Sequence, residues 1–206
     1  MDALWWRLSG IVLVASLLGL GACASTPSRF YILNTLPASE TGPTTAAARG
    51  PVIGVGPITF PKYLDRPQIL SRAGRNQVTL GEFDRWAEPL QDNVSRVLVE
   101  NLALLIPTDH ILLNPWPGSA APDYQVQVDV RQFDGWLGGE STLLARWSLL
   151  DRAEHELVSQ TVHRQAPTGG RDYDAMVGAL NQLLEALSRD IAAALQRLAS
   201  PAATRP

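Results

Sequence analysis

Cys23 carries the only thiol of this 206-residue sequence, and it follows Leu20-Gly21-Ala22 at the end of an apolar run. A lone thiol can be a nucleophile, a metal ligand or an attachment point, and its company decides which. The three histidines, His110, His155 and His163, lie at no metal-ligand spacing from one another, and each reads as solvent-facing or hydrogen-bonded. The sequence has no Gly-x-Ser-x-Gly elbow, no His-Glu-x-x-His pair and no phosphate loop. Gly54 and Gly56 form a Gly-x-Gly, but Pro57 and Pro61 follow where a helix would be needed, so close strand packing explains these glycines better. The acids are dispersed over wet faces and turns. No catalytic, metal or cofactor-binding residues are expected.

The segment before Cys23 has a signal-peptide layout, with Arg7 in a short n-region, an apolar h-region from Ile11 to Leu20, and small residues at Gly21 and Ala22. Leu20-Gly21-Ala22-Cys23 resembles the lipobox of bacterial lipoproteins. That resemblance implies a diacylglyceryl group on the Cys23 thiol, cleavage after residue 22, and acylation of the new amino group. A membrane span needs about 20 apolar residues, whereas Leu8 to Ala22 offers 15 and includes Ser9 and Ser16. Ordinary secretory cleavage is the other alternative, and it would leave an unpaired thiol in an oxidising compartment. Each buried methylene contributes roughly 0.8 kcal/mol, so three acyl chains on Cys23 would hold the protein on a bilayer. In many Gram-negative lipoproteins an aspartate after the cysteine retains the protein in the inner membrane. The residue here is Ala24, which implies the periplasm-facing leaflet of the outer membrane.

Composition limits what the rest can be. Residues 23–206 suffice for one domain with a sizeable core. The net charge of −3 offers no basic surplus for nucleic acid. With Cys23 acylated there can be no disulfide, so stability must come from packing.

Residues 23–29 read as the acylated N-terminus and a short tether, residues 30–199 as the domain, and residues 200–206 as a disordered tail. Phe30 to Leu33 is a candidate first strand, Leu36 to Pro51 a mobile loop, and Val52 to Ile58 a strand closed by proline. Phe60 to Pro67 reads as an irregular crossing, followed by short strands at Gln68 to Ser71 and Asn76 to Leu80. Pro89 suits the first position of a helix whose stripe is Leu90, Val94, Val97, Leu98, Asn101, Leu102 and Leu105. Asp92, Arg96 and Glu100 ride its wet face, and Pro107 ends it. Ile111 to Leu113 reads as a short buried strand. Tyr124 to Arg131 alternates strictly, and with the segments around Leu143 to Leu149 and Glu156 to Arg164 it predicts an antiparallel meander. Asp172 caps a last helix with an apolar stripe from Met176 to Leu198. Two helices and about seven strands make an α+β domain, a mixed and largely antiparallel β-sheet with both helices on one face.

Two segments, Tyr63 to Ile69 and Glu82 to Leu90, mix aromatic, cationic and acidic residues in loop-like context. Tyr63, Arg66, Arg85 and Trp86 are therefore candidate partner contacts, because aromatics and arginine are enriched at interfaces. The competing reading is internal, with the arginines paired to acids and Trp86 fastening the start of the helix. Trp116 and Trp136, in loops, are further candidates for membrane or partner contact, against simple edge packing.

Tyr63-Leu64-Asp65-Arg66-Pro67-Gln68-Ile69, Arg85-Trp86-Ala87-Glu88-Pro89-Leu90 and Leu144-Ala145-Arg146-Trp147-Ser148-Leu149, in this order behind a lipobox, resemble the PqiC-like auxiliary lipoproteins of ABC-type transport systems. The resemblance covers about residues 20 to 199. It implies an outer-membrane lipoprotein that works with an Mce-domain protein, an ABC permease and an ATPase in moving lipid between membranes. It also implies homo-oligomers that cap the Mce conduit. No catalytic motif comes with it. A lipoprotein of outer-membrane assembly or envelope integrity, without a transport role, remains the alternative.

Overall fold

Strand patterning and helix patterning alternate along the chain, and the computed structural model sorts them into one sheet and two long helices. It describes residues 26–37, 50–108, 110–116 and 121–199. The expected signal peptide, Cys23, most of the loop before Pro51 and the tail after Ala199 lie outside the described residues. The strands are β1 (Arg29–Tyr31), β2 (Ile53–Thr59), β3 (Gln68–Gly74), β4 (Gln77–Trp86), β5 (Ile111–Leu113), β6 (Tyr124–Gly135), β7 (Glu140–Asp151) and β8 (Glu156–Pro167). The helices are α1 (Leu90–Leu105) and α2 (Tyr173–Ala199).

Strand β6 is the spine. Along one side it pairs with β2 and, at its far end, with β3 through Ser71 and Gly135, both in parallel. Along the other it carries the antiparallel β6–β7–β8 meander, whose ladders are the longest in the sheet. β4 joins β3 antiparallel, β1 joins β4 parallel, and β5 joins β2 parallel. The α+β class, the mixed and largely antiparallel sheet and the meander are as the periodicity predicts, with eight strands among the described residues rather than about seven.

The core forms where the two patterns meet. Val126, Val128, Val130 and Phe133 of β6 and Leu143, Ala145, Trp147 and Leu149 of β7 are buried beneath the helices. They meet Met176, Leu180, Leu184, Leu187 and Ile191 of α2, and Val94, Leu98 and Leu102 of α1. Both stripes recur at helical spacing and close over the same sheet face. Asp172 caps α2 as expected, its Oδ1 accepting the Ala175 amide at 2.8 Å. Pro89 stands one residue ahead of α1, and its carbonyl accepts the first intrahelical bond from Asn93 at 3.0 Å.

Several expectations are corrected. β2 starts at Ile53 and passes through Pro57 to Thr59, one residue beyond the expected end at Ile58. The register shifts between Val55 and Ile58, so the ladder does not need the amide that proline lacks. β4 runs six residues beyond Leu80 because β1 supplies it with a partner strand, Arg29 facing Asp84 and Tyr31 facing Trp86. The first strand is Arg29–Tyr31 rather than Phe30 to Leu33, so Arg29 belongs to the sheet and not to a tether. β5 is an edge strand with Leu113 exposed, since it pairs with β2 alone among the described residues.

Candidate functional site

The two motif segments converge. The crossing Phe60 to Pro67, which includes a 3-10 turn at Lys62–Leu64, and the stretch Trp86 to Asp92 form opposite walls of a cleft of about 660 Å³. They are brought together where β3 begins and β4 ends, with the Trp86 amide donating to the Pro67 carbonyl at 2.8 Å. α1 starts at this point without a side-chain cap, and its first residues Leu90, Gln91 and Asp92 line the cleft. A second groove of about 390 Å³ shares Glu88, Gln91 and Asp92 and continues past Arg96 to Leu113 and Asn114. The two make one trough along the first turns of α1.

The walls are charged in both senses. Lys62 and Arg66 stand on one side, Asp65, Glu88 and Asp92 around them. Glu88 is already engaged, accepting from Asn93 Nδ2 at 2.6 Å and pairing with Arg96 at 2.9 Å. The described residues lining the larger cleft include no histidine, serine, threonine or cysteine. Its ionisable lining is Lys62, Asp65, Arg66, Glu88 and Asp92 beside the apolar Phe60, Leu64 and Leu90, a mixed surface that suits binding a polypeptide. No group of described residues could hold a metal ion.

Each candidate residue has a definite place. Arg66 lines the cleft, held by its own Nε donating to the Tyr63 carbonyl at 2.8 Å. Tyr63 turns inward, its hydroxyl donating to Asp134 Oδ2 at 3.1 Å. Burial, followed by the Asp134 charge, pushes the Tyr63 phenol up to about 12. Arg85 is half-buried on the strand, with Nε 3.4 Å from the Glu82 carbonyl. Trp86 is only 6% exposed and forms the apolar floor where cleft and core meet. Trp116 is half-buried against Gly54, where an added Cβ would sit 2.7 Å from its ring. Trp136 is exposed on the β6–β7 turn.

Sequence reasoning missed three polar devices near the trough. Asp134, 1% exposed, accepts from Tyr63, from Arg72 at 2.9 and 3.1 Å, and from Gln132 at 2.8 Å. It fastens the crossing to the sheet. Asp84 accepts a two-pronged bond from Arg29 at 2.7 and 2.8 Å and another from Tyr31 at 2.8 Å. Burial alone would raise the Asp84 carboxyl, but these bonds and the Arg29 charge hold it below the usual carboxylate range. The third device is a strap. Leu33, Asn34 and Leu36 donate their amides to Asn93, Asn181 and Asn101, at 2.7, 3.0 and 2.8 Å. The signal was an asparagine pair two turns apart on the apolar face of α1, a place where an amide side chain needs a partner.

A family model described as the ABC-type transport auxiliary lipoprotein component matches residues 31–192. The chain belongs to that family. It is 24% identical over 189 residues to the intermembrane transport lipoprotein PqiC of Escherichia coli strain K12, covering 91% of this chain and 97% of that protein. PqiC of Shigella flexneri matches equally. A crystal structure of an uncharacterized protein superposes with a TM-score of 0.68 at 20% identity, over 82% of this chain and 99% of that one. A Xanthomonas campestris protein follows at 0.64 and 18%, over 80% and 93%. The protein is thus an auxiliary lipoprotein of a transport system, in a family that is not an enzyme class, and no described helix is long and apolar enough to cross a membrane.

Proposed function

We propose that the protein is anchored through acyl groups on Cys23 to the periplasmic face of the outer membrane and docks a lipid-transport conduit there. Its partners are an Mce-domain protein with its ABC permease and ATPase, engaged by a homo-oligomer of this chain. The observation that carries the reading is the convergence of two strings of the family resemblance, Tyr63 to Ile69 and Arg85 to Leu90, on the walls of one trough. A shared groove with mixed charge, an apolar floor at Trp86 and an uncapped helix start suits a polypeptide segment that brings both apolar and hydrogen-bonding groups.

The test is affinity purification of the full-length lipoprotein from detergent-solubilised membranes of its own cells. Wild type should bring down Mce-domain and permease subunits. Arg66→Glu combined with Asp92→Lys, both exposed, should stay in the membrane fraction and lose those subunits at least tenfold, a change of about 1.4 kcal/mol or more. Recovery of porin-assembly or peptidoglycan-bound proteins in place of transport subunits would overturn the reading.

A further inference from the structure

The exposed apolar side chains are not scattered evenly. Among the described residues the large ones are Phe30, Ile32, Val78, Phe83, Leu113, Trp136, Leu137 and Leu157. Trp136 and Leu137 follow Gly135, which pairs with Ser71 at the end of β6. Ser71 Oγ lies 3.4 Å from the Tyr173 hydroxyl, and the Tyr173 ring lies 3.1 Å from where Gly81 would carry a Cβ. Gly81 leads into Phe83 and into Asp84, which faces Arg29 beside Phe30. Val78 sits near the tip of the β3–β4 hairpin, which extends beyond Ser71 in the same direction. Five of the eight therefore gather at the end of the sheet where the chain from Cys23 arrives. Leu113 and Leu157 lie toward the other end, as does Trp116 over Gly54.

Distance separates the two ends decisively. From Tyr124 to Gly135 the spine is about 37 Å long, at about 3.4 Å per residue. The six Cα steps from Cys23 to Arg29 reach at most roughly 20 Å. An anchor at Cys23 therefore keeps the Trp136 end within reach of a bilayer, whereas the far end lies farther away than the tether can span.

We infer that this end, with Phe30, Val78, Phe83, Trp136 and Leu137, rests in the headgroup layer of the bilayer that holds Cys23, and that Trp136 is its interfacial anchor. The inference rests on the acyl anchor proposed above. Trp136 is suited to the role because its ring has an apolar body and one polar N–H, the combination that favours a membrane–water boundary. Its backbone is fixed, donating to Glu140 at 3.0 Å and accepting from Thr168 Oγ1 at 3.0 Å, so the indole is presented by a rigid turn. Arg29 is held by Asp84 at this end, and the exposed Arg75 and Arg171 are matched there by Glu82, Glu140 and Asp172. Apolar contact, not net charge, must supply the seating. The domain then stands with the β6 axis pointing away from the membrane and presents Leu113 and Trp116 to the periplasm.

The full-length, lipid-modified protein reconstituted into phosphatidylethanolamine–phosphatidylglycerol vesicles tests this directly. Part of the vesicle lipid carries bromine high on the acyl chain, which quenches tryptophan at the interface. Wild type should float with the vesicles and lose roughly a quarter of its tryptophan emission, one ring in four of residues 23–206. Trp136→Phe should float equally and lose the quenching, whereas Trp116→Phe should keep it. A second readout uses Phe83→Cys labelled with an environment-sensitive dye, whose emission should at least double on reconstitution while the same label at Thr161→Cys stays unchanged. Flotation without quenching, quenching that survives Trp136→Phe, or no brightening at position 83 would overturn the inference and leave the anchor intact. Failure to float would overturn both.

Discussion

The meander β6–β7–β8 with α2 and the N-terminal assembly of β1, the crossing, β3, β4, the strap and α1 meet in one sheet, yet they are held together differently. In the meander, neighbours in space are neighbours in sequence. Two tight turns bring β7 and β8 into register, and alternation decides which face packs under α2. In the N-terminal assembly the decisive contacts join residues 55 apart at Arg29 and Asp84, 60 apart at Leu33 and Asn93, and 65 apart at Leu36 and Asn101. Apolar periodicity places the first region. Buried polar side chains that accept from distant backbone or guanidinium groups place the second.

The contact that ties the two regions together should be the costliest to remove. Asp134 belongs to β6 but is held by Tyr63 of the crossing and Arg72 of β3. Asp134→Ala leaves Arg72 and Tyr63 without their acceptor, and breaking such a pair costs about 3 kcal/mol, the low end of the range because Arg72 retains access to water. Denaturant unfolding of the full chain measures this. Asp134→Asn sharpens it, because the neutral amide should bring the Tyr63 phenol down from about 12 toward its ordinary value, visible in an ultraviolet titration. With wild-type Asp134 the sign is clear. A phenol raised on folding contributes stability that is complete below its unfolded value near 10 and is lost as pH rises through about 12.

The same contrast explains what the sequence disclosed. Val126, Val128 and Val130 against Gln125, Gln127 and Asp129 are visible as a half-wet strand because period two is a local property. Leu180, Leu184, Leu187 and Ile191 are visible as a helix face for the same reason. The course of β4 was hidden. Glu82 to Trp86 has the composition of a loop, and it becomes strand because β1, more than fifty residues upstream, hydrogen-bonds to it and because Arg29 neutralises Asp84. The two strings that form the cleft were legible as unusual, but their meeting depends on the order β4-β3-β6, which no local pattern encodes.

The strap offers a smaller break in the second region. Asn101 Oδ1 accepts from Leu36, and its Nδ2 donates to Ser188 Oγ at 3.0 Å, so one side chain joins strap, α1 and α2. Asn101→Ala should cost about 1 to 3 kcal/mol, since it leaves the buried Leu36 amide without an acceptor. Hydrogen exchange distinguishes this from a general loss of stability. Leu36 should lose protection well before the β6 and β7 amides, whereas a residue that served only the core would loosen all of them together.

The smallest effect expected is at Arg29, and it carries a pH signature. Arg29 itself is 65% exposed while Asp84 is 7%, so the pair is screened from one side and Arg29→Gln should lower the unfolding midpoint at neutral pH less than either change above. Because folding lowers the Asp84 carboxyl, its contribution is present above the unfolded carboxylate value near 4 and is lost as pH falls through the depressed folded value. The stability gap between wild type and Arg29→Gln should hold steady from pH 7 to about 5 and then close as the solution is acidified further. A gap that persists unchanged in acid would mean that Arg29 supports β1 by packing of its aliphatic stem, and the N-terminal assembly would then be held by apolar contact in the same way as the meander.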